Sequence, residues 1–334
     1  MEEKRMRRII ALAGVATVFV LGVAFAQKVT LMVGGLNKII YLPAKLTEQL
    51  GYFKEQGLDV SLLDEPAGVD AENELLAGKV DGVVGFYDHT IDLQAKGKFL
   101  MSVVQFSRAP GEVVLVDSRK ADAIKSPADF KGKTMGVTGL GSSTNFLMQY
   151  LAVRNGVPVS QTTSLAVGAG NTFIAAMKQG QIDVGMTTEP TVSRMLKTGD
   201  AKILVDLRTE AGTVKALGGT YPAACLYMQA DWVGKNKDTV QKLANAFVKT
   251  LKYIQTHSAE EIAKQMPNDY LVGDPELYTK ALADGKAMFT PDGVMPISGP
   301  ITVLKVLSAF NKGVASRNID LSKTYTTEFV KAAK

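Results

Sequence analysis

The chain has 334 residues, of which 46% are hydrophobic and 21% are charged, a composition typical of a globular protein. This excludes a disordered or collagen-like chain, and the length allows one large domain or two lobes with separate cores. The formal net charge of +5 is small and no basic block follows the first residues, so nothing indicates nucleic-acid binding.

Residues 1–26 have the layout of a secretory signal peptide. Lys4, Arg5, Arg7 and Arg8 precede an uncharged run of 18 residues that ends in Ala-Phe-Ala. The alternative is an uncleaved membrane anchor, because such a run could just span a bilayer. Cleavage removes four basic and two acidic residues, which lowers the formal net charge from +5 to +3.

The pattern of a cleaved leader predicts export into a periplasm as a soluble protein. Cys225 is the only cysteine, so an internal disulfide is excluded and the cores must hold without one. No cysteine lies near the cleavage site to carry a lipid anchor.

Strand and helix patterns alternate after the leader, which indicates α/β architecture. The first pass predicts these elements: a strand over 29–33, a helix over about 41–53, a strand over 58–63, a helix over about 71–77 and a strand over 80–86. A second pass from Thr134 repeats the order, with Gly78 and Asp81 in register with Gly180 and Asp183. The repeat predicts two lobes of similar plan rather than one long sheet.

The C-terminal third changes to helical patterns. Residues 238–257 have apolar positions at helical spacing, with Asp238 as the predicted N-cap, and Ser258 to Glu261 form a predicted capping box. These helices are expected to cover one lobe and to carry little chemistry.

Ligands of open α/β sheets bind beyond the carboxyl ends of the strands, at helix N-termini. This rule predicts five site loops, namely 34–40, 85–90, 139–144, 168–172 and 187–190. The loop Thr138–Thr144, "TGLGSST", joins a short strand to a helix. It is interpreted either as a tight turn with an N-cap or as an anion cradle of backbone N–H groups and hydroxyls.

Several longer stretches resemble one protein family. "GYFKEQGLDV", "LLAGKVDGVVGFYDHTIDLQAKGK", "DFKGKTMGVTGLGSSTNF" and "TTEPTVSRML" are similar to the periplasmic solute-binding proteins of ABC importers, of the nitrate/sulfonate/taurine and pyrimidine-precursor type. The resemblance extends over nearly all of residues 28–334 but says little about the solute.

The resemblance implies a two-lobed, type II-like periplasmic-binding-protein fold with a ligand cleft between the lobes. Lobe 1 would comprise 28–112 plus 228–334 with the C-terminal helices, and lobe 2 would comprise 113–227. It also implies hinge closure around a small anionic solute, docking to ABC permease membrane subunits, and a monomer. Within the family, the helix start after "GSS" holds an anionic head, which here implies Gly141, Ser142, Ser143 and Thr144.

Other candidate ligand-binding residues come from the remaining predicted loops. Asn37 could donate to a ligand oxygen or serve a turn, His89 could contact an anion or be structural, and Glu189 could bind a ligand amine or pair within its lobe. Arg108 could pair with a sulfonate or carboxylate or lie at a hinge. The further candidates are Gly35, Ile39, Tyr87, Thr90, Asn171, Thr172 and Tyr221.

The aromatic residues near the predicted cleft favour an organic solute over bare nitrate. These residues are Tyr41, Phe86, Tyr87, Phe146 and Tyr221. We therefore expect a binding protein for a small organic anion, a sulfonate or carboxylate with an aromatic body as one option. The alternatives are a binder of a pyrimidine (thiamine-precursor) solute and an enzyme on the same fold.

No enzyme motif survives inspection. "KGKT" at 131–134 lacks the first glycine of a phosphate loop and precedes its strand instead of following one. His89, His257 and Cys225 are too few for a common zinc site, and the acidic residues are scattered. The sequence predicts no catalytic residue, no metal site and no cofactor.

Overall fold

The computed structural model describes residues 26–271 and 273–333. The predicted leader, apart from Ala26, lies outside the described residues. The ten strands are β1 Gln27–Val33, β2 Leu58–Asp64, β3 Gly82–Phe86, β4 Leu100–Gln105, β5 Glu112–Asp117, β6 Thr134–Val137, β7 Thr163–Ala166, β8 Val184–Thr188, β9 Ala201–Asp206 and β10 Ala224–Gln229.

The strands form two five-stranded mixed sheets with equivalent topology. The first sheet has the order β2-β1-β3-β10-β4, and the second has the order β7-β6-β8-β5-β9. In each sheet three neighbouring strands are parallel. The next strand in the order, β10 in the first sheet and β5 in the second, is antiparallel to them. The α/β, two-lobed architecture expected from the sequence is confirmed.

Fifteen α-helices lie within the described ranges, beside and between the strands. They are α1 Leu42–Gln49, α2 Tyr52–Glu55, α3 Gly68–Leu76, α4 Asp88–Ala95, α5 Ser143–Arg154, α6 Asn171–Lys178, α7 Thr191–Thr198, α8 Glu210–Leu217, α9 Ala230–Lys235, α10 Lys237–Thr256, α11 Ala259–Ala263, α12 Pro275–Gly285, α13 Gly299–Ser308, α14 Lys312–Ala315 and α15 Glu328–Lys331. None of the helices in these ranges is long and apolar enough to cross a bilayer.

The internal repeat extends to individual hydrogen bonds. Asp81 Oδ2 accepts from the Thr30 N–H at 2.7 Å, and Asp183 Oδ2 accepts from the Thr134 N–H at 2.7 Å. Each aspartate lies just before a buried strand and ties that strand to the parallel neighbour beside it, β3 to β1 and β8 to β6. The glycine three residues before each aspartate has a positive φ, which suits a helix C-terminus. The alignment predicted from the sequence is therefore confirmed.

The C-terminal helices pack on the first sheet. Helix α10 contacts α1, α2 and α15, and its Phe247 ring meets Phe53 edge-on at 5.3 Å between centroids. The predicted apolar positions of this helix are all buried: Val240, Leu243, Phe247, Leu251 and Ile254. The predicted N-cap is wrong, because the helix begins at Lys237. Asp238 lies in its first turn and pairs with Lys242 at 2.7 Å.

Candidate functional site

The loop between β6 and α5 contains two glycines with different roles. A Cβ on Gly139 would lie 3.0 Å from Ala67 Cβ and 3.1 Å from Val69 Cγ1, which belong to the first-sheet side. Gly141 has a φ of +91°, a backbone conformation that disfavours L side chains. The glycines thus permit close approach of the two sheets and a sharp turn into α5.

The hydroxyls of Ser142, Ser143 and Thr144 each form a hydrogen bond within the protein. Ser142 Oγ accepts from the Val69 N–H at 3.2 Å, and Ser143 Oγ donates to Asp88 Oδ1 at 2.7 Å. Thr144 Oγ1 accepts from the Thr138 N–H at 3.0 Å. Two of these bonds cross from the second-sheet side to the first-sheet side, so they connect the lobes.

The first backbone N–H groups of α5 remain as donors. Within the described ranges, the N–H groups of Ser143 and Thr144 donate to no protein acceptor. Such N–H groups at a helix start carry partial positive charge and suit an anionic oxygen. The backbone N–H groups of Ser143 and Thr144, together with the Ser142 hydroxyl, which only accepts a bond, are therefore the free donors of the loop predicted as an anion cradle.

Asp88 is the hub of a buried polar network on the first-sheet side. Its Oδ2 accepts from the Tyr221 hydroxyl at 2.8 Å, opposite the bond from Ser143. Burial raises the pKa of Asp88, whereas nearby His89 and the two hydroxyl donors oppose that rise. The carboxylate therefore lies close to the start of α5 and uses both its oxygens internally.

A small enclosed space, which we term the inner cavity, lies between the two sheets. Its volume is about 10 Å³, room for about one water molecule. It is lined by Lys38, Ile40, Tyr41, Gly68, Phe86, Glu112, Thr138, Ser142, Ser143, Thr144 and Thr188.

A larger space of about 300 Å³, the outer cleft, lies beside the inner cavity. It is lined by Gly35, Asn37, Lys38, Asp64, Pro66, Ala169, Gly170, Asn171, Glu189, Pro190, Thr191 and Arg194. Lys38 lines both spaces and therefore marks the boundary between them. The backbone also connects the sheets here, since the Ile39 N–H donates to the Glu189 carbonyl at 3.0 Å.

Lys38 is a buried cation, with 8% of its surface exposed. Its Nζ donates to the carbonyl oxygens of Gly34 at 2.6 Å and Pro66 at 2.9 Å. Burial lowers the pKa of Lys38 to about 8, although the negative charge of Glu112 acts in the opposite direction. An ammonium offers three donors, so one remains after these two bonds. Lys38 therefore places a partly free positive charge between the outer cleft and the inner cavity.

Glu189 is paired within its own lobe. Its Oε1 lies 2.8 Å from Arg208 Nη1, and its Oε2 accepts from the Ser193 N–H at 3.0 Å. Burial raises the pKa of Glu189, and these partners oppose the rise. Of the two roles left open by the sequence, the structure shows the pairing with another residue.

Four predicted residues near α4 and β10 lie outside the lining of both spaces. His89 Nδ1 is 3.0 Å from Glu72 Oε2 and 3.2 Å from the Tyr227 hydroxyl. The Tyr87 hydroxyl bonds to Thr324, and the Thr90 hydroxyl donates to the Tyr87 carbonyl. Tyr221 reaches the site indirectly, through Asp88.

The remaining predicted residues are distributed over the loops. Gly35, Asn37 and Asn171 line the outer cleft, and Ser142, Ser143 and Thr144 line the inner cavity. Gly141 and Ile39 adjoin these residues without lining either space. Arg108 donates to the Phe289 carbonyl at 3.3 Å, and the exposed Thr172 donates to the Ala169 carbonyl. Neither Arg108 nor Thr172 lines the outer cleft or the inner cavity.

Several polar lining residues were not among the sequence candidates, namely Lys38, Asp64, Glu112, Thr138, Thr188, Thr191 and Arg194. Lys38 lies within the predicted loop 34–40. The loop rule therefore identified its position, although the residue itself was not named as a candidate. Thr188 lies within the predicted loop 187–190. Glu112 lies at the first position of β5 and was the last residue before the predicted lobe crossing, and only the strand register shows where its side chain lies.

Comparisons with known proteins agree with this architecture. A solved structure from Bordetella bronchiseptica RB50 is 40% identical, with a TM-score of 0.87, over 91% of this chain and 96% of the other. The alkanesulfonate-binding protein SsuA from Xanthomonas axonopodis pv. citri, bound to MOPS, is 18% identical, with a TM-score of 0.70, over 90% of this chain and 98% of the other.

Relatives found by sequence include proteins that are named as synthases. The 4-amino-5-hydroxymethyl-2-methylpyrimidine phosphate synthase THI13 of Saccharomyces cerevisiae is 27% identical over 240 residues, 68% of this chain and 67% of the yeast protein. The family model described as NMT1/THI5 like matches residues 41–261. The resemblance read from the sequence is confirmed, and the chain belongs to the NMT1/THI5-like family.

Proposed function

We propose that the chain is the extracytoplasmic solute-binding component of an ABC importer, and that it captures a small organic anion. The solute would be a sulfonate or a carboxylate, held by closure of the two sheets and delivered to the membrane permease. The observation that carries this proposal is the buried Lys38 ammonium between the outer cleft and the inner cavity.

The electrostatics of the lining support an oxygen-rich head group. The Lys38 ammonium and the free N–H groups of Ser143 and Thr144 are hydrogen-bond donors, and all three residues line the inner cavity. A helix N-terminus favours negative charge, and low water content strengthens each of these interactions. The inner cavity is too small for an organic anion in this closed arrangement, so entry requires the sheets to part.

A binding role fits the reactive residues better than a catalytic one. Cys225 is buried, and burial raises the pKa of its thiol, which disfavours the reactive thiolate. His89 lies among Glu72, Tyr227 and Phe146, outside the lining of either space. We therefore propose a non-catalytic protein despite the synthase names of the yeast relatives.

A thermal-shift panel tests the proposal on the protein without residues 1–26. The panel contains alkanesulfonates, aromatic carboxylates, nitrate and aminopyrimidines, because selective binding raises the apparent melting temperature. We expect at least one organic anion to stabilise the protein, and Lys38→Met to weaken its binding by roughly 10-fold or more. Lys202→Met, at an exposed position of β9, is the matched control and should change nothing.

Two results would contradict the proposal. Stabilisation by aminopyrimidines alone would favour a pyrimidine solute, and turnover of any panel member would favour an enzyme. The same preparation tests the expected monomer by light scattering, and localisation of the tagged full-length chain tests the expected periplasmic site.

A further inference from the structure

Glu112 and Thr188 form a cross-strand pair that faces the inner cavity. They are direct partners in the antiparallel ladder of β5 and β8, so their side chains leave the second sheet on the same face. Both side chains line the cavity, and each residue is only 2% exposed. Two polar groups thus meet at the sheet end that borders the cleft.

Each member of this pair has an oxygen without a partner. Among the described residues, nothing hydrogen-bonds to Glu112 Oε2 or to Thr188 Oγ1. Native proteins rarely leave buried polar atoms unpaired, since each such atom costs about 1–3 kcal/mol and a charged one costs more. The pair therefore presents to the cavity two oxygens that the protein itself does not hydrogen-bond.

The neighbouring charges explain why the protein leaves the pair open. Lys38 lines the same cavity, yet its two assigned hydrogen bonds go to the carbonyls of Gly34 and Pro66. Asp88 adds a second negative charge nearby, and its oxygens are occupied by Ser143 and Tyr221. Burial and then Asp88 raise the pKa of Glu112 well above its usual range, while Lys38 opposes them. A solute N–H group, and most strongly a charged ammonium, would favour the ionised form of Glu112 and give its free oxygen a partner.

We propose that Glu112 and Thr188 form an acceptor subsite for a nitrogen-bearing group of the solute, so that the solute carries an N–H donor as well as its anionic head. This inference rests on the proposed function, because Lys38 and the start of α5 hold the anionic head. The substrate class is an amino-substituted organic sulfonate or carboxylate. Sites that hydrogen-bond a donor strongly reject analogues without it, because their buried acceptors are then left unpaired.

Calorimetry with matched probe pairs tests the inference. The probes are sulfonates and carboxylates with and without an amino group, for example 2-aminoethanesulfonate against ethanesulfonate and 4-aminobenzenesulfonate against benzenesulfonate. We expect the wild-type protein to bind the amino member of at least one pair roughly 10-fold or more tightly. Glu112→Gln replaces one acceptor oxygen with a donor of similar shape and should remove that preference while the plain anion still binds.

Three further variants separate the contributions. Thr188→Val removes the hydroxyl at nearly constant shape and should reduce the preference severalfold, which gives a second test if Glu112→Gln folds poorly. Thr187→Val is the matched control, because the Thr187 hydroxyl is also buried and unpartnered among the described residues but lies outside the cavity lining. Lys38→Met should weaken both members of a pair alike.

The outcomes distinguish this inference from the proposed function. Equal binding of both members by the wild type, or a preference that survives Glu112→Gln, overturns the acceptor subsite and leaves the anion site standing. Binding of neither member in any pair contradicts both. Loss of thermal stability in Glu112→Gln without any change in preference would assign Glu112 a structural role only and would also overturn the inference.

Discussion

Ser143 and Asp88 form a direct contact between the two halves of the molecule. Ser143 Oγ, at the first position of α5, donates to Asp88 Oδ1, at the first position of α4, at 2.7 Å. Both residues are buried, so water does not compete for this bond. The contact joins the starts of two helices, one from each half, and exists only while the sheets are close together.

Removal of this hydroxyl should destabilise the closed arrangement. In Ser143→Ala, Asp88 Oδ1 loses its 2.7 Å donor, and an unpaired buried oxygen costs about 1–3 kcal/mol. We expect a larger radius of gyration in X-ray scattering from the ligand-free protein. Thr172→Ala, which removes an exposed hydroxyl bonded to the Ala169 carbonyl, is the control. Identical scattering from the two variants would show that the contact does not hold the halves together.

Substitution of Gly139 should oppose closure through a steric clash. An alanine Cβ would lie 3.0 Å from Ala67 Cβ and 3.1 Å from Val69 Cγ1, and overpacking of this kind costs about 1–3 kcal/mol. We expect Gly139→Ala to weaken the binding of a stabilising solute by roughly 10-fold, as measured by calorimetry. Gly234→Ala serves as the control because no atom lies within 4 Å of its added Cβ. Unchanged affinity in Gly139→Ala would mean that binding does not require this approach.

Lys38 should make stability depend on pH above neutrality. Its pKa is about 8 in the folded protein, against an ordinary value of 10.5. Below pH 8 both states hold the proton, whereas from pH 8 upward the unfolded chain holds it and the folded chain does not. The Lys38 contribution to the free energy of unfolding therefore rises with pH, by roughly 2–3 kcal/mol between about pH 8 and pH 10.

Urea unfolding at several pH values, with Lys38→Met as reference, isolates this contribution. The stability of the wild type relative to the variant should increase from about pH 8 to pH 10. A constant difference over that range would show that the ammonium is not penalised by burial.

The repeated aspartates should differ in their contribution to stability. Asp81 and Asp183 each accept a 2.7 Å bond from a strand N–H, but Asp183 Oδ1 also accepts from Lys120 Nζ at 2.6 Å. We expect Asp183→Asn to lower the free energy of unfolding by about 1–2 kcal/mol, and Asp81→Asn to lower it by less. Urea unfolding of both variants at neutral pH measures the difference. An equal or larger loss in Asp81→Asn would show that the lysine adds nothing.

The sequence predicts the architecture well because its signals are local. Glycine stops such as Gly78 and Gly180, and the aspartates that follow them, are set by helix ends and strand starts within a few residues. The candidate loops also follow from local order, since loops at the carboxyl ends of strands share one edge of a sheet. Lys38 and Thr188 lie inside loops identified in this way.

The site itself depends on contacts between distant parts of the chain. Ser142 and Ser143 were predicted as ligand donors, but their hydroxyls bond to Val69 and Asp88 on the other side of the cleft. Glu112 lines the cavity because β5 pairs with β8, a register that no local pattern encodes. Approach of the halves and long-range pairing thus decide which polar groups remain free.

The position of β10 affects the order in which this protein can assemble. Strand β4 joins the first sheet through β10, which follows the whole second sheet in the chain. During synthesis or export, the edges of β3 and β4 therefore stay unpaired until residues 224–229 emerge. Unpaired strand edges template aggregation. Fragments that end before Ala224 should be handled poorly by the cell, and a chaperone that shields these edges would improve the yield of the complete chain.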